Sequence, residues 1–305
     1  MISFAAQRWI NPMATDLVWI ESDGLRAGVN PLGAELTHLL DAEGRELMTD
    51  ADPAFWTGRA PLLFPIVGGL VDDRYRLDGV EFAMPKHGFV RHAMFEMIEA
   101  SGSTALFRLA DDAVSQASYP FAFRLDMAFA VTGATLAMTA TVRNPGDRVL
   151  PFSFGYHPAF AWPLPYGRDR ADHRIVFEAD EPDALKAITP DGLIADASRE
   201  SPLDRRVLRL ADDLFATDAL VWDANRSRRL TYGASDGPQL DIAFPDTPSL
   251  GLWTKPGAHY ICVEPWAGHA DPAGFTGDFR DKPGVMQLQP GDTRQFRMNV
   301  TLISA

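Results

Sequence analysis

The stretch FAFRLDMAFAVTGATLAMTATV, residues 121–142, decides the fold class. It contains two runs rich in β-branched and aromatic residues, 121–131 and 135–142, separated by the turn sequence Thr132-Gly133-Ala134. A glycine-containing turn between two such runs is typical of an antiparallel β-hairpin. The segment therefore predicts two paired strands.

The rest of the chain repeats this pattern at shorter length. Further strand-like runs between Gly and Pro residues occur at 16–22, 75–84, 207–210, 219–222, 229–232, 239–244, 259–264 and 293–303. No window has a sustained helical period, and only 182–188 and 212–216 suggest short helical turns. The pattern predicts an all-β protein, a large antiparallel β-sandwich or a barrel. Without repeats or linkers, we expect a single domain over 1–305, with 1–14 as a loosely attached leader or strand.

Composition excludes several classes of function. The 305 residues carry a formal net charge of −13, which repels phosphate backbones and anionic lipid, so we expect no nucleic-acid or membrane partner. A single cysteine, Cys262, excludes an intrachain disulfide and a Cys-based zinc site. The first residues lack a secretory signal, and four prolines interrupt the longest uncharged stretch, 149–167. We expect a cytoplasmic protein, either a monomer or a homodimer.

Two segments with strand alternation end in side chains capable of proton transfer. In FSFGYHP, residues 152–158, the aromatic side chains face one way, and His157 faces the other, together with a glycine. In HYICVEPW, residues 259–266, Glu264 lies on the face opposite the aliphatic side chains. Burial beside the indole and the thiol of that face would raise the carboxyl pKa. An ordinary half-buried histidine and a strand-end glutamate are the alternatives from these segments alone.

Two further segments carry polar side chains suited to binding hydroxyl groups. Arg59 begins a Pro- and Gly-rich loop, 58–69, and could offer its guanidinium fork. In 85–91, His87, Phe89 and Arg91 share a face if the segment is extended. Metal-ligand spacings, a serine nucleophile elbow and a dinucleotide fingerprint are absent from the sequence. We therefore expect neither a metal nor another cofactor, and activity that survives chelation.

Taken together, the chain resembles the aldose 1-epimerase (mutarotase) superfamily, and specifically its LacX-like branch. The ordered motifs that carry the resemblance are GRAPLLFPIVGGL (58–70), MPKHGFVR (84–91), YPFAFRLDMAF (119–129), PFSFGYHPAF (151–160), DDLFATDALVWD (212–223), CVEPWAGHADP (262–272) and QLQPGDTRQFRM (287–298). They span most of the chain, and their order and spacing are more specific than any one motif. Gly69 departs from the pattern, because a larger and often basic residue is expected there.

The resemblance implies a large antiparallel β-sandwich that opens and recloses the ring of an aldose. His157 matches the general acid and Glu264 the general base, while Arg59, His87 and Asp218 match sugar-binding positions. A base must take the proton of the C1 hydroxyl while an acid protonates the ring oxygen, and this chemistry requires no metal or nucleotide. We further expect the two functional groups to lie on one sheet face, across a gap wide enough for one pyranose.

Three other functions remain open at this stage. One is a non-catalytic carbohydrate-binding module, although a pure binder need not keep both His157 and Glu264. The second is a hexose-6-phosphate 1-epimerase, whose phosphate pocket could use Arg59, Arg74 and Arg91. The third is a glycoside hydrolase or lyase, which usually requires two carboxylates at the scissile bond. The overall negative charge favours free neutral aldoses over sugar phosphates.

Overall fold

A computed structural model describes residues 16–304, so the leader expected at 1–14 lies outside the described residues. The strands are β1 Val18–Glu21, β2 Leu25–Asn30, β3 Glu35–Asp41, β4 Leu62–Leu63, β5 Arg74–Leu77, β6 Val80–Ala83, β7 Glu96–Ala100, β8 Thr104–Ala110, β9 Arg124–Thr132, β10 Thr135–Arg143, β11 Leu150–Phe152, β12 Phe154–Tyr156, β13 Ala159–Ala161, β14 His173–Phe177, β15 Leu185–Ile188, β16 Ile194–Arg199, β17 Val207–Arg209, β18 Leu220–Trp222, β19 Arg229–Ala234, β20 Gln239–Ala243, β21 Ser249–Trp253, β22 Tyr260–Ala267, β23 Met286–Leu288 and β24 Thr293–Ile303.

Helical structure in 16–304 is limited to short pieces. They are α1 Ala113–Ser118 and the 3₁₀ turns Val71–Asp73, Val90–His92, Arg170–Asp172, Asp212–Phe215 and Phe279–Asp281. No helix in this part of the chain is long and apolar enough to cross a bilayer. The all-β class predicted from the sequence is confirmed, and so is the helical turn predicted at 212–216.

Two large sheets dominate the described part of the chain, and their strands pair antiparallel. One has nine strands in the order β17-β14-β19-β20-β24-β10-β9-β8-β7. The other has the order β16-β15-β18-β21-β22-β12-β4, with β13 also paired to β22. A three-stranded sheet, β1-β2-β3, and the pairs β5-β6 and β11-β23 complete the set.

The predicted hairpin forms two adjacent strands within the nine-stranded sheet. β9 and β10 pair from Thr132↔Thr135 to Arg143↔Arg124, so Gly133 and Ala134 alone form the loop. Gly133 has a φ of +53°, a backbone conformation that glycine adopts without steric cost in a two-residue hairpin turn. The local sequence therefore sets the register of this nine-residue strand pair.

Aromatic side chains from both large sheets pack together in one core. Phe154 of β12 stacks on Phe296 of β24, with ring centroids 4.8 Å apart. The Tyr156 hydroxyl accepts a hydrogen bond from the Ala140 amide and donates one to the Phe296 carbonyl. The aromatic face of 152–158 is thus the core face, as the alternation predicted, which leaves the opposite face for a site.

The helical turn predicted at 182–188 is wrong. Leu185–Ile188 forms β15, which pairs with β16 on one side and with β18 through Lys186↔Val221 on the other. Leu185 is fully buried in the core. Pairing with a strand on each side outweighs the weak local preference of this short segment.

Candidate active site

His157 and Glu264 lie directly opposite each other on neighbouring chain segments. The register is the same on both sides of residue 157, with the partners Gly155↔Trp266 and Ala159↔Cys262. The Val263 amide also donates to the Pro158 carbonyl, 3.1 Å away, which continues the pairing between the two segments. Because directly opposed residues in an antiparallel pair point to the same face, the two side chains must meet.

The imidazole and the carboxylate are in direct contact. His157 Nε2 lies 3.2 Å from Glu264 Oε2, and both side chains are more than nine-tenths buried. The two groups share one sheet face, as expected from the alternation. The expected gap of one pyranose between them is wrong, because the cross-strand register places them side by side.

Burial shifts both groups of the pair toward their uncharged forms. Loss of hydration, together with the smaller effect of the positive charges of Lys86 and Arg91, lowers the pKa of His157 to about 3. Burial likewise raises the pKa of Glu264 well above its usual range, while Lys86 opposes that shift. At neutral pH the pair therefore holds a single proton between Nε2 and Oε2.

Glu264 should reduce the stability of the fold as the pH rises. Its pKa is higher in the folded than in the unfolded chain, so its stabilising contribution is complete below about pH 4.5 and is lost as the pH rises toward the folded pKa. We expect Glu264→Gln to raise Tm at pH 7.5 by at least about 2 °C, since one pKa unit is worth about 1.4 kcal/mol.

Differential scanning calorimetry of both proteins in EDTA, from pH 4 to pH 8, measures this difference. His157, whose depressed pKa gives the opposite trend between pH 3 and 6.5, is present in both proteins. The gain in Tm should shrink toward pH 4. A constant difference, or a lower Tm of the variant at pH 7.5, would contradict the raised pKa.

The pair lies at the wall of a cavity of about 260 Å³, the scale of one sugar ring. The lining side chains combine aromatic surface with a few charged and polar groups, as is usual for small-molecule sites. They include Trp56, Lys86, His87, Arg91, His157, Ile188, Ile194, Asp218, Val221, Trp253, Glu264 and Trp266. Gly68, Gly192 and Ala270 add backbone surface.

Trp266 lies flat on the sheet because two neighbouring strands present glycine beneath it. A Cβ at Gly155 would come within 2.6 Å of the indole, and a Cβ at Gly251 within 2.5 Å. Contacts this short exclude any larger residue unless the indole moves. Gly155, the glycine on the same face as His157, thus accommodates Trp266. The indole gives the cavity an apolar surface next to Glu264.

His87 is held in one tautomer by a backbone hydrogen bond. Its Nδ1 accepts from the Gly68 amide at 3.1 Å, so the neutral ring carries its proton on Nε2. Burial and the charges around it lower the pKa of His87 well below the usual value. Its ring lies edge-to-face with that of His157, with centroids 5.7 Å apart. His87 therefore enters the cavity as a neutral hydrogen-bond donor.

The extended backbone considered for 85–91 is wrong. His87 and Gly88 both have positive φ, +69° and +75°, and Val90–His92 forms a 3₁₀ turn. Gly88 is required there because a Cβ would lie 2.1 Å from the Phe64 carbonyl oxygen. The turn nevertheless brings Arg91 to the cavity together with His87.

Arg59 is not part of the cavity, contrary to the sugar-binding position expected for it. Its Nη1 donates to the backbone carbonyls of Thr37, at 3.2 Å, and Thr49, at 2.7 Å. Its amide donates to the carboxylate of Glu35 at 2.8 Å. Because these partners come from β3 and the segment after it, the guanidinium serves to join segments of the fold.

Three charged residues complete the polar lining of the cavity. Asp218, predicted from the sequence, reaches it from an exposed turn with a φ of +84°. Lys86, which the sequence analysis missed, and Arg91 supply the cations. Arg91 Nη2 donates to the Lys86 carbonyl at 2.9 Å, which ties the guanidinium to the backbone of Lys86. The position of Lys86 next to His87 in the sequence was the available signal.

The turn between β15 and β16 lies next to the glycine at position 69. A Cβ at Gly69 would lie 3.6 Å from both the Gly192 carbonyl oxygen and the Leu193 side chain, an ordinary van der Waals distance. The contacts of a Cβ therefore do not by themselves require glycine at this position. A Cβ at Gly192 would lie 3.6 Å from Lys86 Nζ.

Comparisons with known proteins agree with this fold. A family model described as Aldose 1-epimerase matches residues 16–301. The chain is 30% identical to the chromosomal LacX protein of Lactococcus lactis over 295 residues, 93% of this chain and 99% of that protein. A galactose mutarotase-like protein from Lactobacillus casei has a TM-score of 0.88 at 28% identity, covering 94% of this chain and 100% of that chain. A galactose mutarotase related enzyme from Lactobacillus acidophilus has a TM-score of 0.87 at 28% identity, with coverages of 94% and 97%.

Proposed function

This chain belongs to the aldose 1-epimerase family, and from that premise we propose that it interconverts the α and β anomers of an aldose by acid–base ring opening and reclosure. The observation that carries the proposal is the buried contact between His157 Nε2 and Glu264 Oε2 at the cavity wall. The contact unites an imidazole and a carboxyl group that can exchange a proton through a bound substrate.

The side-by-side geometry suits a hemiacetal. The two oxygens that must exchange protons, the C1 hydroxyl and the ring oxygen, are bonded to the same carbon. Groups only 3.2 Å apart can therefore each reach one of them when the sugar lies over the pair. A wide gap between acid and base, of the kind needed for opposite sides of a ring, is unnecessary.

The proposed cycle moves one proton in each direction. Glu264 takes the proton of the C1 hydroxyl while His157 gives its proton to the ring oxygen, and the bond between C1 and the ring oxygen breaks. The open aldehyde rotates about C1–C2 and recloses on its other face with the roles reversed, which restores both residues. Burial favours the proton on Glu264 in the empty cavity, so sugar hydroxyls and Lys86 must stabilise the carboxylate before ring opening.

The remaining side chains of the cavity bind and orient the sugar in this proposal. His87 donates from Nε2, Asp218 accepts from hydroxyl groups, and Trp266 packs against an apolar face of the ring. Holding one pose relative to the pair supplies much of the rate enhancement, because a misplaced C1 meets neither proton-transfer group. Anomer-exchange NMR with a panel of free aldoses tests the activity, and a protein that binds them without exchange is instead a carbohydrate-binding module.

A hexose-6-phosphate 1-epimerase remains the second candidate, because Lys86 and Arg91 both line the cavity. The three arginines considered for a phosphate pocket do not converge: Arg59 is used within the fold, and Arg74 lines a different cavity of about 140 Å³. The two cations of the site are accompanied by the carboxyl groups of Asp218 and Glu264. We therefore still favour neutral aldoses.

We expect kcat/KM for glucose or galactose to exceed that for glucose 6-phosphate. Measurements at two ionic strengths check the preference, because recognition of a dianion weakens as salt rises. Lys86→Met should then affect both substrate types similarly. Lys186→Met, which removes a lysine paired with Asp223 outside the cavity lining, is the control. A preference for the phosphate that falls with salt and is lost in Lys86→Met would establish the second candidate.

A further inference from the structure

The proposed reaction leaves one chemically active group of the site unused, the thiol of Cys262. Cys262 precedes Glu264 by two residues on β22, so both side chains point to the same face. The Cys262 sulfur, a ring nitrogen of His157 and a carboxylate oxygen of Glu264 all lie within 4.8 Å of one another. All three residues are buried, and Cys262 is fully so.

These three atoms form a ligand set suited to Zn²⁺. Three atoms within 4.8 Å of one another have a common centre no more than about 2.8 Å from each, and zinc bonds are about 2.0–2.3 Å long. Inward movements of about half an ångström or slightly more would therefore complete the coordination. A thiolate and an imidazole favour zinc over the oxygen-preferring calcium and magnesium ions.

The placement of the ligands decides what a bound ion would do. His157 and Glu264 line the cavity, so a fourth coordination position would face the space where the sugar binds. The ion would bind the imidazole of His157 and the carboxylate of Glu264, the two groups that the proposed reaction needs for proton transfer. Zinc bound here inhibits the reaction and does not assist it.

We propose that His157, Cys262 and Glu264 form a buried Zn²⁺ site whose occupation reversibly blocks sugar turnover. The inhibitory consequence rests on the proposed function, whereas zinc binding itself does not. Binding releases two protons to the buffer: that of the Cys262 thiol, which coordinates as the thiolate, and the one that His157 and Glu264 share. Asp218 favours a cation in the cavity, while Lys86 and Arg91 oppose it, which limits the affinity and keeps the block reversible.

Zinc binding to the full-length protein tests the site independently of turnover. After treatment with EDTA and dialysis, Zn²⁺ alone is titrated in competition with a chromogenic chelator. We expect one ion per chain, and at least about tenfold weaker binding in Cys262→Ser and Cys262→Ala, because a thiolate is the strongest of the three ligands. His259→Ala is the matched control, since His259 is an exposed surface histidine.

Cobalt provides a spectroscopic readout of the same site. Co²⁺ in place of zinc should produce a thiolate-to-metal charge-transfer band in the wild type that is absent from Cys262→Ser. The proposal is overturned if zinc does not bind, or if it binds equally well to Cys262→Ser and Cys262→Ala. Unchanged thermal unfolding of the serine variant in EDTA confirms that the comparison concerns folded protein.

Inhibition is then measured as anomer exchange with and without Zn²⁺. We expect the wild-type rate to fall with zinc and to return with EDTA, while Cys262→Ser keeps its activity and resists zinc. EDTA alone should leave the rate unchanged or raise it. If the protein binds one zinc ion through Cys262 but does not exchange anomers, the proposed function is refuted and the zinc site stands. If the protein turns over sugar at the same rate with zinc bound, the blocking role is overturned.

Discussion

Glu264→Gln and His157→Ala should each reduce kcat for anomer exchange by about 10²- to 10⁴-fold, the usual contribution of one positioned acid or base. The amide of glutamine cannot take the proton of the C1 hydroxyl, and alanine cannot protonate the ring oxygen. Because both groups act chiefly in the transition state, kcat should fall far more than KM changes.

Saturation-transfer or polarimetric measurement of anomer exchange gives both constants for the two variants. The double variant should be little slower than either single variant, because the two residues exchange protons as a unit. His259→Ala, which alters an exposed histidine outside the cavity lining, is the control and should retain full activity. A kcat near the wild-type value in either single variant would remove that residue from the mechanism.

Six strands of the nine-stranded sheet were predictable from the sequence. β9, β10, β17, β19, β20 and β24 overlap runs identified there, and the limits of β24 are the same, whereas β7, β8 and β14 were not identified. The pairing of β15 between β16 and β18 was not accessible in this way, because β15 has only four residues and Lys186↔Val221 joins well-separated segments. Local alternation specifies the longest strands well, whereas short strands depend more on their neighbours.

The facing direction of the site residues could be read from the sequence, but their separation could not. Alternation placed His157 and Glu264 away from the core. The 3.2 Å contact between them follows from the register of β12 and β13 against β22, which no local motif encodes. The same reason applies to Arg59, whose carbonyl partners at Thr37 and Thr49 belong to distant segments.

Lys282 and Asp271 form a buried ion pair next to the loop that carries Gly69, and its disruption should strongly destabilise the fold. Lys282 Nζ lies 3.0 Å from Asp271 Oδ1, with exposed side-chain fractions of 0% and 4%. Asp271 also accepts from the Val71 amide through Oδ2 and donates its own amide to the Gly69 carbonyl. The pair thus fixes the loop that supplies the Gly68 amide to His87.

Removing one member of such a pair leaves the other charge buried without compensation. We expect Lys282→Met to lower the free energy of unfolding by about 3–5 kcal/mol, and Tm by on the order of 10 °C. Lys255→Met, at an exposed lysine, should change Tm little.

The double variant Asp271→Asn/Lys282→Met removes both charges and should recover part of the loss, because the uncompensated carboxylate, and not the missing lysine stem, causes most of it. Calorimetry of the wild type and the three variants at pH 7 measures these differences in Tm. A Tm of Lys282→Met within about 2 °C of the wild type would show that the pair contributes little to the support of the cavity wall.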